Sequence, residues 1–123
     1  MNFLFPTIEV EDLDKSMTFY MDIIKLEEER LFKPREGVEI AFLRDVDGNL
    51  VELIENRHIK ENLDDRSSKV QLGFEVDNLE ETIKFLNENG IHLESGPVDI
   101  SEGRFITVRD PDGVRIALFD MEE

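Results

Sequence analysis

The chain repeats itself. Residues 10–19, VEDLDKSMTF, match residues 76–85, VDNLEETIKF, in the order of their acidic, apolar and aromatic positions. Further on, residues 44–48, RDVDG, match residues 109–113, RDPDG. The first match has an offset of 66 residues and the second an offset of 65, as the loss of one loop residue would produce. Self-similarity at a fixed offset indicates a duplicated structural unit.

The length of the chain limits how the repeat is used. At 123 residues it is long enough for one domain but too short for a solenoid array built from units of this size. We therefore expect a single domain made of two copies, residues 1–55 and 70–123, joined by a polar linker at residues 56–69.

Each copy opens with a segment in which β-branched and aromatic residues alternate with polar ones, a pattern typical of a strand, and three further strands are predicted after it. The last two segments flank an Asp-Gly pair, Asp47-Gly48 or Asp112-Gly113, which permits the positive φ values of a tight hairpin turn. The predicted strands are residues 3–10, 26–32, 38–44 and 50–55 in the first copy and 70–76, 91–93, 104–109 and 114–119 in the second.

A helix is predicted after the first strand of each copy. Asp12 and Asn78 are N-cap candidates, Glu81 completes a capping-box spacing, and Gly90 is placed to end the second helix. Apolar residues at helical spacing are expected to enter the core: Leu13, Met17, Tyr20, Ile24, Leu79, Ile83 and Leu86. The sequence thus predicts an α+β fold of two tandem βαβββ modules.

The charge excludes several classes of partner. There are 14 basic and 30 acidic residues, so the net charge is −16, which repels phosphate backbones and anionic lipid. We expect no nucleic-acid partner and no membrane partner. The absence of cysteine excludes disulfides and thiolate metal sites and fits the cytoplasm, where we expect the protein to be.

The quoted motifs also carry a family resemblance. Residues 8–20, 47–53 and 110–113, in that order along the chain, resemble the vicinal oxygen chelate superfamily, which includes glyoxalase I, bleomycin-resistance and fosfomycin-resistance proteins and extradiol dioxygenases. The resemblance covers nearly the whole sequence. It implies two modules whose curled sheets form a cup, with the helices on the outside, and it implies a homodimer.

The resemblance also implies four metal-ligand positions, on the first and last strands of each module. By motif these fall on Phe5, Glu52, Gln71 and Ala117. Only Glu52 is a typical ligand and Gln71 is a weak one, so a Zn, Ni or Mn ion would take most of its coordination from water. We therefore expect no tightly held cofactor, with a divalent metal as the alternative. The two histidines, His58 and His92, are expected to be exposed.

Period-two alternation predicts which side chains face the cup. Those on the first copy are Phe5, Thr7, Glu9, Leu50, Glu52 and Ile54, and those on the second are Gln71, Gly73, Glu75, Arg115, Ala117 and Phe119. Apolar walls with a few polar groups suit an amphipathic small molecule, and the carboxylates favour a cationic one. The candidate ligand-binding residues are Phe5, Thr7, Glu9, Glu75, Arg115, Ala117 and Phe119.

Three functions remain open at this point. The first hypothesis is a binding protein of the glyoxalase and bleomycin-resistance type that holds a cationic or amphipathic ligand. The alternative is a glyoxalase-like lyase or isomerase in which Glu52 is the catalytic residue, either as a metal ligand together with Gln71 or as a general base. The third is an inert interaction module whose function is its dimer.

Overall fold

The computed structural model describes residues 1–58 and 70–121. Its backbone divides into two compact units, Met1–Asp65 and Arg66–Glu123. Each unit contains one four-stranded mixed sheet and one α-helix, which confirms the predicted α+β fold. The elements are β1 (Thr7–Glu9), α1 (Leu13–Thr18), a π-helical segment (Phe19–Ile23), β2 (Glu27–Arg35), β3 (Val38–Arg44), β4 (Leu50–Asn56), β5 (Gln71–Glu75), α2 (Leu79–Glu88), β6 (Ser95–Ile100), β7 (Gly103–Arg109) and β8 (Arg115–Met121).

The two sheets have the same topology. The strand order is β1-β4-β3-β2 in the first unit and β5-β8-β7-β6 in the second. In each sheet the first strand runs parallel to the last, and the other pairs are antiparallel. The parallel pair places Thr7 opposite Glu52 and Gln71 opposite Arg115. Residues from the two ends of each module are therefore neighbours on one sheet face.

The predicted N-caps are confirmed. The Asp12 side chain accepts a hydrogen bond from the Lys15 N–H at 3.2 Å, and the Asn78 side chain accepts one from the Glu81 N–H at 3.0 Å. Each bond satisfies a backbone donor that the first helical turn leaves unpaired. Gly90 has a φ of 73° just past the end of α2, where glycine ends a helix without steric cost.

A second cap comes from the last strand of each unit and was not predicted. Glu55 Oε1 accepts a hydrogen bond from the Leu13 N–H at 2.9 Å, and Asp120 Oδ2 accepts one from the Leu79 N–H at 2.9 Å. A carboxylate beside a helix N-terminus also interacts favourably with the helix dipole. The same contact therefore fastens the helix to the sheet in both copies of the repeat.

The hydrophobic core of each unit lies on the sheet face that its helix covers. In the first unit α1 contacts β3 and β4, and in the second α2 contacts β8. Alternate residues along the central strands are buried on that face, as the period of two requires. Buried strand residues include Ile8, Ala41, Leu43, Val51 and Leu53 in the first unit and Ile106, Val108, Ile116 and Leu118 in the second.

The prediction that apolar residues at helical spacing enter the core is partly confirmed. Leu13, Tyr20, Leu79 and Leu86 are buried, whereas Met17, Ile24 and Ile83 are half-buried. Ser16 and Phe19 are buried instead. Because the chain leaves the α-helical path after Thr18 and continues as a π-helical segment, the spacing of 3.6 residues no longer predicts the inward positions.

Two strand predictions were wrong in their bounds. The first strand was predicted at residues 3–10, but β1 covers only Thr7–Glu9, and Phe3 and Leu4 are 83% and 76% exposed. A strand at 91–93 was also predicted, whereas β6 is Ser95–Ile100. The Ile91 N–H still bonds to the Leu86 carbonyl oxygen at 2.9 Å, so this residue completes the end of α2 and the strand starts later.

The first Asp-Gly hairpin turn covers residues 45–49, the gap that the predicted strands 38–44 and 50–55 left between them. Gly48 has the expected positive φ of 87°, and the loop is closed by a bond from the Asp45 N–H to the Asn49 carbonyl oxygen at 3.0 Å. Asp45 Oδ1 accepts the N–H groups of Asp47 and Asn49 at 3.0 and 2.8 Å. Asp45, not Asp47, is therefore the side chain that organises the turn.

The second hairpin repeats this arrangement. Asp110 Oδ1 accepts the N–H groups of Asp112 and Val114 at 2.9 and 2.8 Å, and Gly113 has a φ of 88°. Asp110 is 5% exposed, so its carboxylate is a buried anchor for the turn.

The predicted linker at 56–69 starts one residue too early, because Asn56 is the last residue of β4. Residues 59–69 lie outside the described part of the chain. Over residues 1–58 and 70–121, the helices are too short or too polar to cross a membrane.

Candidate functional site

The candidate site in the first unit lies on the sheet face opposite the hydrophobic core, which we call the open face. Strand register brings four residues into one row across this face. Thr7 on β1 pairs with Glu52 on β4, Glu52 with Phe42 on β3, and Phe42 with Arg30 on β2. Paired residues on adjacent strands project to the same side of a sheet. The row therefore presents a hydroxyl, a carboxylate, an aromatic ring and a guanidinium in sequence.

The carboxylate of Glu52 is half-buried and held in place. Its Oε1 accepts a hydrogen bond from the Thr7 hydroxyl at 2.6 Å. Within the part of the chain that the structure describes, Glu52 has no basic side chain within salt-bridge distance. Glu9 follows Thr7 by two residues on β1 and is exposed. The open face thus presents an oriented negative charge that has no basic partner in the described part of the chain.

Three phenylalanines form an aromatic cluster beside Glu52. The rings of Phe5 and Phe42 meet edge to face with centroids 4.9 Å apart, and those of Phe32 and Phe42 are parallel with centroids 6.4 Å apart. The Arg30 guanidinium lies over the Phe32 ring, 4.0 Å from its centroid. All three rings are half-buried, so apolar surface next to the carboxylate remains accessible.

The structure brings together Phe5, Thr7 and Glu52 of the predicted site. Sequence reasoning missed three residues: Phe42, Phe32 and Arg30. Phe42 had a signal in the sequence, because a hairpin that turns at residues 45–49 pairs it with Glu52. Phe32 and Arg30 did not, since bulges interrupt the pairing of β2 with β3 and shift which residues share a face.

The open face of the second unit has a different character. Gln71, Gly73 and Glu75 on β5 are exposed and pair with Arg115, Ala117 and Phe119 on β8. Ala117 is fully buried. The Phe119 ring lies beside Gly73, where a Cβ would be 3.4 Å from the ring, and its centroid is 5.1 Å from that of Phe105.

Arg115 has an acidic partner in the second unit. Glu94 forms ion pairs with Arg109, through both Nε and Nη2, and with Arg115 Nη2 at 3.7 Å. The hydrogen bonds from Arg109 hold the pKa of Glu94 below its usual value. Arg115 was predicted to face the cup and bind the ligand, and the structure places it next to Glu94, which was not among the predicted site residues.

The four positions that the resemblance assigns to a metal do not form a complete ligand set. Phe5 and Ala117 have no donor atom in their side chains, so only Glu52 and Gln71 could coordinate a metal through a side chain. In residues 1–58 and 70–121, no three histidine, aspartate or glutamate side chains are grouped as a metal would need. The residues present therefore do not fit a divalent-metal centre with three or four protein ligands.

The histidines do not complete that set. His58 and His92 are both exposed, as expected. The ring of His58, which follows β4, lies against Gly37, and its Nε2 is 2.8 Å from the Glu36 carbonyl oxygen in the loop between β2 and β3.

Comparisons with known proteins agree with this architecture. The lactoylglutathione lyase of Salmonella typhimurium is 26% identical over the whole of this chain and 95% of its own length. A glyoxalase family protein from Bacillus cereus has a TM-score of 0.78 at 22% identity, covering 95% of this chain and 91% of that one. An antibiotic-binding protein from Streptomyces sp. CB03234 has a TM-score of 0.75 at 18% identity, covering 99% and 97%.

A family model settles the relationship that the sequence motifs suggested. The model of the Glyoxalase/Bleomycin resistance protein/Dioxygenase superfamily matches residues 4–118, which include both modules. With the repeated βαβββ topology and the neighbours above, this match shows that the chain belongs to the Glyoxalase/Bleomycin resistance protein/Dioxygenase superfamily.

Proposed function

We propose that the protein binds a cationic amphipathic small molecule on the open face of the first unit. The observation that carries this proposal is the pairing of Glu52, oriented by Thr7 and without a basic partner in the described residues, with the aromatic cluster of Phe5, Phe32 and Phe42. A carboxylate beside accessible rings matches a ligand that has a positive charge next to an apolar body.

The expected interactions are of ordinary strength. A cation over an aromatic face contributes about 0.5–2 kcal/mol, depending on how far it is desolvated. A hydrogen bond to a charged group contributes about 1.5–3 kcal/mol. The half-buried rings add the hydrophobic term in proportion to the apolar area that the ligand covers. Together these terms support reversible binding without any bond to a metal.

One structural relative supports a binding role. The Streptomyces protein is described as antibiotic-binding, and it shares the fold of this chain. The fold alone does not select a ligand, so the chemistry rests on the residues of this site. For the second unit, contacts of the ligand with Glu75, Arg115, Ala117 and Phe119 remain predictions, as do the homodimer and the cytoplasmic location.

A lyase is the second candidate function. It is favoured by the match to lactoylglutathione lyases over the full length of this chain. In that case Glu52 would be the catalytic residue. Phe5 and Ala117 supply no donor atoms for a metal, so the ligand set of a metal-dependent lyase is incomplete. For that reason we place this candidate second.

The test is the Glu52→Gln variant, with 2-phenylethylamine as the probe because it joins one cationic group to one aromatic ring. We expect the variant to bind the probe about tenfold more weakly, a change of about 1.4 kcal/mol. The thermal midpoint should be unchanged. Glu88→Gln is the matched control, because it removes the same charge from an exposed position at the end of α2 and should leave binding intact.

The same preparations distinguish the two functions. Formation of lactoylglutathione by the wild-type protein supplied with Ni, Zn or Mn, lost in Glu52→Gln, would favour the lyase. Equal probe binding by wild type and Glu52→Gln would refute the binding proposal. A Glu52→Ala variant that fails to fold would assign Glu52 a structural role instead.

A further inference from the structure

The row across the open face of the first unit ends in opposite charges. Glu52 lies on β4, Phe42 on β3 and Arg30 on β2, and each is the register partner of the next. Neighbouring strands are about 4.8 Å apart, so the backbones at Glu52 and Arg30 are separated by about 10 Å. A carboxylate and a guanidinium thus flank the aromatic cluster at a distance that one small molecule can span.

The Arg30 guanidinium is positioned by an aromatic ring and has no carboxylate partner among the described residues. Its guanidinium lies over the Phe32 ring at 4.0 Å from the centroid, and the parallel Phe32 and Phe42 rings continue from there toward Glu52. Among the described residues no carboxylate lies within salt-bridge distance of Arg30, although β2 itself contains three glutamates. A guanidinium that stacks on a ring keeps its edge N–H groups free to bind an oxyanion.

Both ends of the aromatic cluster therefore carry a charge that has no ionic partner among residues 1–58 and 70–121. Arg30 is exposed in a sequence with 30 acidic residues, yet none of the described carboxylates lies within salt-bridge distance of it. An anionic ligand group at this edge would form charge-assisted hydrogen bonds, which are stronger than neutral ones.

We propose that the ligand is zwitterionic: its cationic group binds Glu52, its aromatic or apolar body lies on Phe42 and Phe32, and a carboxylate or similar oxyanion binds Arg30. This inference rests on the proposed function, because it uses the same site and adds the second charge. It makes Arg30 the residue that selects zwitterionic ligands over simple cations.

The experiment compares two probes that differ only in the anionic group. One is 2-phenylethylamine, and the other is 4-(2-aminoethyl)benzoate, which adds a carboxylate at the far end of the ring. Affinities are measured by NMR titration for wild type, Arg30→Gln, Arg30→Lys and Glu52→Gln. The control is Lys33→Gln, which removes the same charge from an exposed position on the same strand.

We expect wild type to bind the zwitterion about tenfold more tightly than the amine. Arg30→Gln should abolish this preference and leave the affinity for the amine within about twofold. Arg30→Lys should keep part of the preference, because the charge stays but the planar fork is lost. Glu52→Gln should weaken both probes, and Lys33→Gln neither.

The possible failures are distinguishable. Wild-type binding of the amine that depends on Glu52, without a preference for the zwitterion, overturns the inference about Arg30 and leaves the proposed function standing. Loss of both probes to the same extent in Arg30→Gln also overturns it, because Arg30 would then act only by covering Phe32. If neither probe binds to wild type, the proposed function fails and the zwitterion proposal fails with it.

Discussion

Among single residues, one carboxylate organises each of the two Asp-Gly hairpin turns: Asp45 in the first unit and Asp110 in the second. Asp45 receives two backbone N–H groups at its Oδ1 and the Asn49 side-chain amide at its Oδ2, the last at 2.9 Å. Side chains of this type are favoured in turns because they replace backbone hydrogen bonds. The Asp47-Gly48 pair is the stronger local signal in the sequence, but in the structure Asp47 contributes a backbone N–H donor.

Replacing Asp45 with Ala should destabilise the protein by about 1–2 kcal/mol, because several hydrogen bonds of the turn are lost at once. Urea unfolding at neutral pH measures the change. Asp47→Asn is the control and should be close to neutral. An Asp45→Ala variant as stable as wild type would show that Gly48 and the backbone alone determine the turn.

The contribution of Asp45 should also depend on pH. The hydrogen bond from the Asn49 side chain, together with backbone donors, lowers the pKa of Asp45 below its ordinary value of 3.8. The ionised form is thus favoured in the folded state, and its stabilisation is fully present above pH 3.8 and is lost as the pH falls through the lower folded value. The stability difference between wild type and Asp45→Ala should narrow in acid, whereas a pH-independent difference would contradict this account.

At the scale of elements, the helix caps show how the repeat is built. In both units the N-terminus of the helix is fastened by its own N-cap and by a carboxylate from the last strand, Glu55 or Asp120. Glu55 Oε2 also accepts a hydrogen bond from Arg57 Nε at 2.9 Å. The N-caps were predictable because capping is local in sequence, but the contacts from β4 and β8 join residues about forty positions apart.

Glu55→Ala should therefore cost about 1–2 kcal/mol, since the Leu13 N–H loses its acceptor at a helix N-terminus. Glu55→Gln keeps an oxygen acceptor and should cost less. Chemical denaturation of the two variants measures this order. Equal losses in both would indicate that the negative charge, not the hydrogen bond, is what stabilises α1.

Buried side chains of the helical segments should contribute strongly to stability. Phe19 and Leu86 are 5% and 1% exposed, so truncation to Ala should cost about 2–5 kcal/mol in each case through lost burial and a new cavity. Ile83→Ala, at a half-buried position on the same helix as Leu86, is the comparison and should cost less. A larger loss at Ile83 than at Leu86 would contradict the packing described above.

At the scale of the whole molecule, two properties dominate: the family and the charge. The family resemblance implies a metal, but of the four ligand positions that it implies only Glu52 and Gln71 have side-chain donors. The net charge of −16 attracts cations in general, so weak and unspecific association with divalent ions is expected even without a site.

Protein purified without chelator or metal-affinity resin should therefore contain no stoichiometric Zn, Ni or Mn by elemental analysis. Titration of the chelator-treated protein should show only weak, salt-sensitive binding, because unspecific attraction is screened while coordination is not. The thermal midpoint should be the same before and after chelation. One tightly bound ion per chain would contradict the assignment and favour the lyase.

The family, the α+β modules, the N-caps and the turn glycines could all be predicted from the amino-acid sequence. Each of these depends on residues close together in the chain or on a repeat visible along it, such as residues 10–19 against 76–85. Local hydrogen bonding and periodicity suffice for such features. The candidate positions Phe5, Thr7 and Glu52 could also be predicted. The family resemblance implied Phe5 and Glu52, and alternation along a strand places Thr7 on the same face as Phe5.

Which of those side chains contact one another depends on the three-dimensional fold. The Thr7 hydroxyl reaches Glu52, and Phe42 stands between Glu52 and Arg30, because strand register brings together residues from β1, β4, β3 and β2. Bulges in β2 and the π-helical segment after α1 shift side chains off the ideal periods, and neither is encoded in a local pattern. Strand register depends on long-range packing. The full row from Thr7 to Arg30 could therefore be identified only from the folded chain.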